Sequence, residues 1–241
     1  MIKINNLQYS YFKKRVLNGI TLEIPENHFM ALAGLNGAGK TTLFKLVLDL
    51  LRTPERNNIL IGGLSSWELG SRKTLMYLPE KFRLNAQVSA MNYFKFLSGI
   101  YRQELNIDKV YQLCRTLNFP EKRLTDASRT YSKGMLQKVG LMGCFVLDYK
   151  FILLDEPLSG LDPKARLHTK ELMLEVKSEL NKTLLFSTHM LSDVDEICDI
   201  FSVLHDGDVR FQGSPSDCKS LYQSRTLENA FIRCIENVAT N

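Results

Sequence analysis

The chain has 241 residues, of which 44% are hydrophobic and 24% charged. This composition is typical of a globular protein, and the length suffices for one large domain with an inserted subdomain. The formal net charge of +5 comes from Lys and Arg residues scattered along the chain. Because they form no basic run, we expect no nucleic-acid partner. The N-terminus lacks a signal-peptide pattern, and no apolar run approaches the roughly 18 residues of a transmembrane helix.

The five cysteines form no Cys-x-x-Cys pair and have no histidine nearby at metal-binding spacing. Several of them lie in apolar stretches. We therefore expect buried free thiols, as in a protein of a reducing cytosol, with a metal or disulfide role as the less favoured alternative.

The first third of the chain alternates strand and helix patterns. Strands are predicted at 2–7 and 16–24 around a turn at 12–15, which gives an antiparallel β unit. A further strand at 29–33 leads into a glycine-rich stretch and a helix that ends near Leu51. Short strands are then predicted at 59–61 and 74–78.

From about residue 80 the pattern becomes helical, with apolar residues spaced by threes and fours at 90–101, 108–117 and 133–147. Two short apolar runs, 151–154 and 183–186, are typical of buried parallel strands. A helix at 163–180 separates them, with Asp162 as its N-cap and Pro163 at its first position. A hairpin is predicted between 200 and 211.

These patterns predict an α/β fold with a mixed sheet, flanking helices and an inserted α-helical subdomain. The predicted nucleotide-binding core covers about 1–80 and 148–225. The helical subdomain covers about 81–147, and a short helical tail covers about 226–241.

The strand at 29–33 is followed by a stretch that fits the phosphate-binding pattern G-x-x-x-x-G-K-[ST]. Glycines let backbone N–H groups turn toward a polyphosphate, and the following helix presents its positive end to it. Lys40 suits the β- and γ-phosphates, and the Thr41 hydroxyl suits Mg²⁺. A purely structural glycine turn is the alternative. The predicted triphosphate-binding residues are Gly34, Leu35, Asn36, Gly37, Ala38, Gly39, Lys40, Thr41 and Thr42.

Two adjacent acids, Asp155 and Glu156, follow the buried strand at 151–154. Because side chains alternate along a strand, we expect these carboxylates to point in different directions. Asp155 suits the Mg²⁺ shell, and Glu156 suits the attacking water as general base. An acidic pair that merely ends a strand is the alternative.

Further motifs follow along the chain at Tyr11, Glu80, 131–135, 159–162 and His189. Together with the glycine-rich stretch and the acidic pair, and in this chain order, they resemble the ATP-binding cassette (ABC) ATPases over nearly the whole chain. The resemblance implies that Tyr11 stacks on adenine, that Glu80 lies at the Q-loop position and that His189 is the switch histidine. It also implies a signature motif, which acts on the ATP of a partner chain, and a D-loop. Their residues are Ser132, Lys133, Gly134 and Met135 for the signature motif, and Ser159, Gly160, Leu161 and Asp162 for the D-loop.

The departures from the family pattern concern the signature motif and the Q-loop. The stretch 131–135 reads Tyr-Ser-Lys-Gly-Met instead of Leu-Ser-Gly-Gly-Gln, yet it keeps Ser132 and Gly134 as donors to a γ-phosphate. Glu80 replaces the usual glutamine and puts a carboxylate near the metal and the attacking water. The sequence Tyr-Ser-Lys-Gly-Met at 131–135, the tripeptide Leu-Pro-Glu that ends at Glu80 and the tail sequence 226–231 resemble the cassettes that serve ABC-2-type exporters.

The resemblance implies an ATPase that uses ATP and Mg²⁺ as a head-to-tail homodimer or heterodimer. Its implied partners are integral membrane permease subunits, at the cytoplasmic face of the cell membrane. Phe82, Tyr93, Phe94 and Phe96 are candidates for the docking surface or for the core. Two alternatives stay open, namely a soluble ABC ATPase that acts on ribosomes or DNA, and an ATP-dependent switch with little turnover.

Overall fold

Two β-sheets carry the architecture of the chain, for which the computed structural model describes residues 1–53, 55, 57–178 and 182–236. The strands are β1 (Ile2–Tyr11), β2 (Lys14–Ile24), β3 (Phe29–Ala33), β4 (Ile59–Ile61), β5 (Leu64–Ser65), β6 (Leu75–Leu78), β7 (Phe151–Leu154), β8 (Thr183–Thr188), β9 (Ile200–His205) and β10 (Asp208–Gly213). The helices are α1 (Lys40–Val47), α2 (Leu69–Arg72), α3 (Ala90–Tyr101), α4 (Ile107–Thr116), α5 (Lys133–Phe145), α6 (Pro163–Ser178), α7 (Leu191–Ile197), α8 (Pro215–Leu221) and α9 (Leu227–Ile235).

The larger sheet has the strand order β10-β9-β3-β8-β7-β6 and the smaller one the order β2-β1-β4-β5. In the larger sheet all neighbouring strands pair in parallel except β10, which runs antiparallel to β9. The carboxyl ends of β3, β8 and β7 therefore meet at one edge, which is where open α/β sheets bind their ligands. This edge brings together residues that are more than 100 positions apart in the chain.

Strand β3 is buried along its whole length, and its side chains pack on both faces of the large sheet. Phe29, Ala31 and Ala33 face a core built largely from α3, α4, α5 and α6. The alternate residues Met30 and Leu32 face a second core, which the smaller sheet and α1 complete. The period of two along a strand thus produces two apolar layers.

The predicted α/β class is confirmed, and the predicted bounds of β3, β4, β7 and α3 match the structure. Strand β1 continues to Tyr11, because its pairing with β2 extends beyond the apolar pattern into a partly exposed hairpin. The predicted helix 133–147 ends earlier, at Phe145. The predicted helix 163–180 is described to Ser178, and its last two residues lie outside the described ones.

Helices α2, α7 and α8 are not predicted by the apolar periodicity, because each has only four to seven residues. A sequence marker for α8 does exist, namely a capping box in which Ser214 and Asp217 satisfy each other's backbone N–H. Within the described residues, no helix has the length and apolar character that a membrane span requires.

Helices α3, α4 and α5 lie between β6 and β7 in the chain and share one continuous core with the large sheet. The boundaries given for the core, the helical subdomain and the tail remain predictions, and residues 237–241 of the tail lie outside the described ones. Of the cysteines, Cys114, Cys144, Cys218 and Cys234 are buried and Cys198 is half-buried, and all five are free thiols.

Candidate nucleotide-binding site

The glycine-rich loop joins the end of β3 to the start of α1 and needs glycine for two separate reasons. A Cβ on Gly34 would lie 2.4 Å from the carbonyl oxygen of Leu204, which no side chain tolerates. Gly39 has a φ of +108°, in the left-handed region, and as N-cap of α1 it offers no side-chain cap. The first N–H groups of α1 are therefore available to phosphate oxygens.

The loop forms the floor of a cleft of about 710 Å³, which is in the size range of small-ligand sites. Residues 35–42 line it, together with Lys14 and Arg15 from the β1–β2 hairpin. Tyr11, whose ring packs edge-on against Tyr9 at 5.0 Å, lines the outer part and is 38% exposed. The lining of the cleft thus includes an aromatic ring as well as the glycine-rich loop.

Lys40 lies at the inner end of the cleft and is only 7% exposed. Its Nζ donates a hydrogen bond to the carbonyl oxygen of Gly34 at 2.7 Å. The same atom lies 3.3 Å from Glu156 Oε1. The cation is therefore held over the loop, where a polyphosphate would meet it.

Asp155 is 1% exposed and is surrounded by hydroxyl groups. Thr41 Oγ1 donates to Asp155 Oδ2 at 2.7 Å, and Tyr77 OH reaches the same oxygen at 3.4 Å. Ser187 Oγ donates to the other oxygen, Oδ1, at 2.6 Å. Burial and, next, the Asp155 carboxylate raise the pKa of Tyr77, so its hydroxyl stays protonated as a donor.

Glu156 points away from Asp155, as predicted, although the reason is different. Strand β7 ends at Leu154, so strand alternation does not govern the two acids. Instead Glu156 has a φ of +49°, which is uncommon for a residue other than glycine. Its Oε2 lies 2.9 Å from His189 Nδ1. Its Oε1 is buried and accepts no hydrogen bond from the residues that the structure describes.

Glu156 Oε1 is paired with the Lys40 ammonium but accepts no geometrically well-formed hydrogen bond from the described residues, so it is a suitable acceptor for the proton of a water molecule. Thr41 Oγ1 and Asp155 Oδ2 lie next to each other and are oxygen ligands of the kind that Mg²⁺ prefers. Both sets of atoms thus fit the chemistry predicted for them. Glu80 is exposed and lines the same cleft, and in the described part of the chain it makes no hydrogen bond or ion pair.

The signature residues are not brought to this cleft within the chain. Ser132 is exposed and caps α5, its Oγ accepting a hydrogen bond from the Met135 N–H at 3.2 Å. The D-loop starts close to the acids, since the Ser159 N–H donates to the Glu156 carbonyl oxygen. It ends at Asp162, whose Oδ1 accepts from the Lys164 and Ala165 N–H groups and caps α6 as predicted.

Ser187 and Tyr77 have contacts in the site that the sequence did not reveal. Ser187 lies near the end of β8, two positions before His189, which follows the strand. Strand β8 lies between β3 and β7 in the sheet. Knowledge of the strand order would have indicated that Ser187 faces the acids. Tyr77 lies on β6, three residues before Glu80, but the residue type alone did not indicate a contact with Asp155.

A phosphate loop after β3, an acidic pair after β7 and a histidine after β8 define a P-loop nucleotide-binding α/β protein. Within that class the chain belongs to the ABC transporter family, whose profile matches residues 17–159. This confirms the family and the fold class that the motifs predict.

Three relatives are uncharacterized ABC transporter ATP-binding proteins of Nostoc and Synechocystis and the ABC-type transporter ATP-binding protein EcsA of Bacillus subtilis. The Nostoc protein is 34% identical over 82% of this chain and 59% of its own length. The Synechocystis protein is 32% identical over 84% and 57%. EcsA is 30% identical over 92% and 90%. The chain thus spans less than two thirds of the two cyanobacterial relatives.

The structure is also similar to a solved structure described as the ATP binding subunit of an ABC transporter. The two superpose with a TM-score of 0.86 at 29% identity, over 97% of this chain and 98% of the other. The likeness extends to a cassette with 21% identity and a TM-score of 0.77, which at that identity speaks for the fold alone.

Proposed function

We propose that this chain binds and hydrolyses ATP as the nucleotide-binding subunit of an ABC-2-type exporter. The observation that carries the proposal is the contact of Glu156 with both Lys40 and His189 at the inner end of the cleft. Relatives support the transport role. They include EcsA and a lantibiotic transport ATP-binding protein of Streptococcus pyogenes, which is 29% identical over 87% of this chain.

ATP enters with its adenine against Tyr11 and its phosphates over residues 34–42. The N–H groups at the start of α1 bind phosphate oxygens. Lys40 exchanges its contact with Glu156 for the β- and γ-phosphates. Leaving the carboxylate for a more highly charged anion keeps the ammonium group paired throughout.

Thr41 and Asp155 would hold Mg²⁺, with Glu80 as a further candidate ligand in the lining of the cleft. When bound, the ion neutralises negative charge on the β- and γ-phosphates. Asp155 is well placed to hold it because two buried or half-buried hydroxyls, from Ser187 and Tyr77, fix the orientation of its carboxylate.

Hydrolysis needs a base that takes a proton from water as the water oxygen attacks the γ-phosphorus and ADP leaves. Glu156 Oε1 is the acceptor, since it is buried beside Lys40 and free of other donors among the described residues. His189 holds the second oxygen, Oε2, and so limits rotation of the carboxylate.

Two chains form the working unit, head to tail, so that Ser132 and Gly134 of one chain meet the γ-phosphate on the other. The exposed position of Ser132, outside its own cleft, supports this arrangement. The second chain is another copy of this one or a second ABC ATPase subunit. Separate integral membrane permease subunits complete the transporter and hold the chain at the cytoplasmic face of the membrane.

Of the four aromatic residues that are candidates for the permease-docking surface, only some are accessible at the surface. Phe94 is fully buried and belongs to the core. Phe82 and Tyr93 are half-buried and pack against each other with ring centroids 5.5 Å apart. Phe96 remains available, at 62% exposure, with Ile100 one helical turn further along α3.

Affinity purification of the tagged chain from detergent-solubilised membranes tests the transport role. We expect a polytopic membrane protein to co-purify in near-stoichiometric amount, and to be lost with Phe96→Asp but not with Lys95→Glu, its exposed neighbour on α3. Recovery with ribosomes or DNA and without a membrane protein would instead support the soluble alternative.

A further inference from the structure

We propose that Ser187 is a positioning residue for hydrolysis, which acts through both members of the acidic pair. The proposal rests on the proposed ATPase function and deepens it. Ser187 is fully buried near the carboxyl end of β8 and has no access to the cleft itself. Its effect must therefore pass through the residues that its hydroxyl contacts.

The Ser187 hydroxyl makes two hydrogen bonds of opposite direction. It donates to Asp155 Oδ1 at 2.6 Å and accepts from the Glu156 N–H at 2.9 Å. A hydroxyl carries a single hydrogen, so the bond to Asp155 fixes the rotor and turns a lone pair to Glu156. Because Oδ1 is held in this way, the other oxygen of Asp155 is the one that meets Thr41.

The bond to Glu156 matters because of the backbone at that residue. A φ of +49° is strained for a glutamate and persists where the surroundings hold it. The Ser187 hydroxyl is the group that holds the Glu156 N–H. Relaxation to an ordinary φ would turn the Glu156 side chain away from Lys40 and His189. One hydroxyl thus sets the direction of the metal-binding carboxylate and the placement of the base.

The chain offers a matched control in Ser202 on β9. Strands β8 and β9 flank β3, and Ser187 and Ser202 are both in register with Leu32. Both serines are fully buried. The Ser202 hydroxyl, however, has no hydrogen-bond partner among the described residues. Ser202→Ala therefore removes the same buried atom at the same level of the sheet without breaking a hydrogen bond.

The test compares Ser187→Ala with Ser202→Ala and the wild type in phosphate release and in Mn²⁺ binding to the ADP complex by electron paramagnetic resonance. For Ser187→Ala we expect kcat to fall about tenfold or more, the scale of one hydrogen bond to a charged group. We expect its Mn²⁺ affinity to fall roughly tenfold, as is common when a partner of a metal ligand is lost. KM for ATP should stay within about twofold, because residues 34–42 and Tyr11 are unchanged.

Ser202→Ala should match the wild type in all three quantities. If Ser187→Ala matches it as well, the proposal is overturned. Failure of the proposed function has a separate signature, since a wild type that releases no phosphate would contradict the ATPase, while Mn²⁺ binding would still test Ser187.

A second pair of variants covers the case in which Ser187→Ala does not fold. Ser187→Thr and Ser187→Val have nearly the same shape and differ in the hydroxyl. We expect the Thr variant to exceed the Val variant in kcat and in Mn²⁺ affinity by about tenfold, at similar melting temperatures. Equal values in the two variants would show that the hydroxyl has no positioning role.

Discussion

Lys40 Nζ and Glu156 Oε1 lie 3.3 Å apart in the cleft, so the proposed phosphate-binding cation and the proposed base form an ion pair. Both side chains are largely buried, at 7% and 12% exposure. A buried charge is costly without a partner, and removal of either member leaves the other uncompensated. In the proposed mechanism, binding of the triphosphate would therefore release the base, because both would compete for the same cation.

Lys40→Ala should weaken triphosphate binding about tenfold or more, because a charge-assisted contact to phosphate is lost. Titration with a fluorescent ATP analogue measures the change. Lys45→Ala is a matched control, since Lys45 is on the same helix α1 but does not line the cleft. Unchanged affinity and turnover in Lys40→Ala would refute the assignment of the phosphate loop.

Glu80→Gln should make activity depend less steeply on Mg²⁺. The Glu80 carboxylate adds negative charge to a cleft that already holds Glu156 and would receive the γ-phosphate. Like charges at this range disfavour one another unless a cation is present. Mg²⁺ titrations of both proteins check this, and superimposable curves would show that Glu80 does not sense the metal.

A mixing experiment tests the head-to-tail dimer. Ser132→Asp keeps a good N-cap for α5 but sets a negative charge against the γ-phosphate. A dimer of this variant with Lys40→Ala has one intact composite site. We therefore expect the mixture to release phosphate at a substantial fraction of the wild-type rate, although each variant alone is nearly inactive. If mixing restores nothing, Ser132 does not act on the ATP of the partner chain.

Asp193→Asn should destabilise the fold by about 3 kcal/mol, since it removes the buried counter-charge of Arg166 and leaves Lys170 with the more exposed Glu196 alone. Asp193 is fully buried at the start of α7, with Arg166 at 2.7 Å and Lys170 at 3.0 Å, both on α6. Urea unfolding measures the loss.

The control for that measurement is Asp195→Asn. Asp195 also lies on α7, and the substitution breaks its solvent-accessible pair with Lys219 of α8. It should change stability by less than about 1 kcal/mol. Similar losses in both variants would mean that the Asp193 cluster contributes no more than a surface ion pair.

Contiguous features were predictable from the sequence, and features that depend on packing were not. The strand, glycine-rich loop and helix at 29–47 could be predicted because these residues follow one another in the chain. Phe94 and Phe96, by contrast, lie two residues apart on α3 and so on nearly opposite faces. The sequence alone did not show which face packs on the core.

Part of the candidate site was predictable, since the predicted residues Lys40, Thr41 and Glu156 line one cleft, but its internal contacts were not. The Ser187 contacts depend on β8 lying between β3 and β7, and a strand order is a long-range property. The left-handed backbone of Glu156 is likewise set by its surroundings and contradicts the local preference of a glutamate.

Phosphate release by Glu156→Gln tests the ATPase most directly. The amide keeps the shape of the side chain but cannot accept the proton. We expect the variant to bind ATP with wild-type affinity, to form an ATP-dependent dimer, and to release phosphate about 10²-fold or more slowly than the wild type. A variant that hydrolyses ATP at the wild-type rate would contradict the assignment of Glu156 as the base.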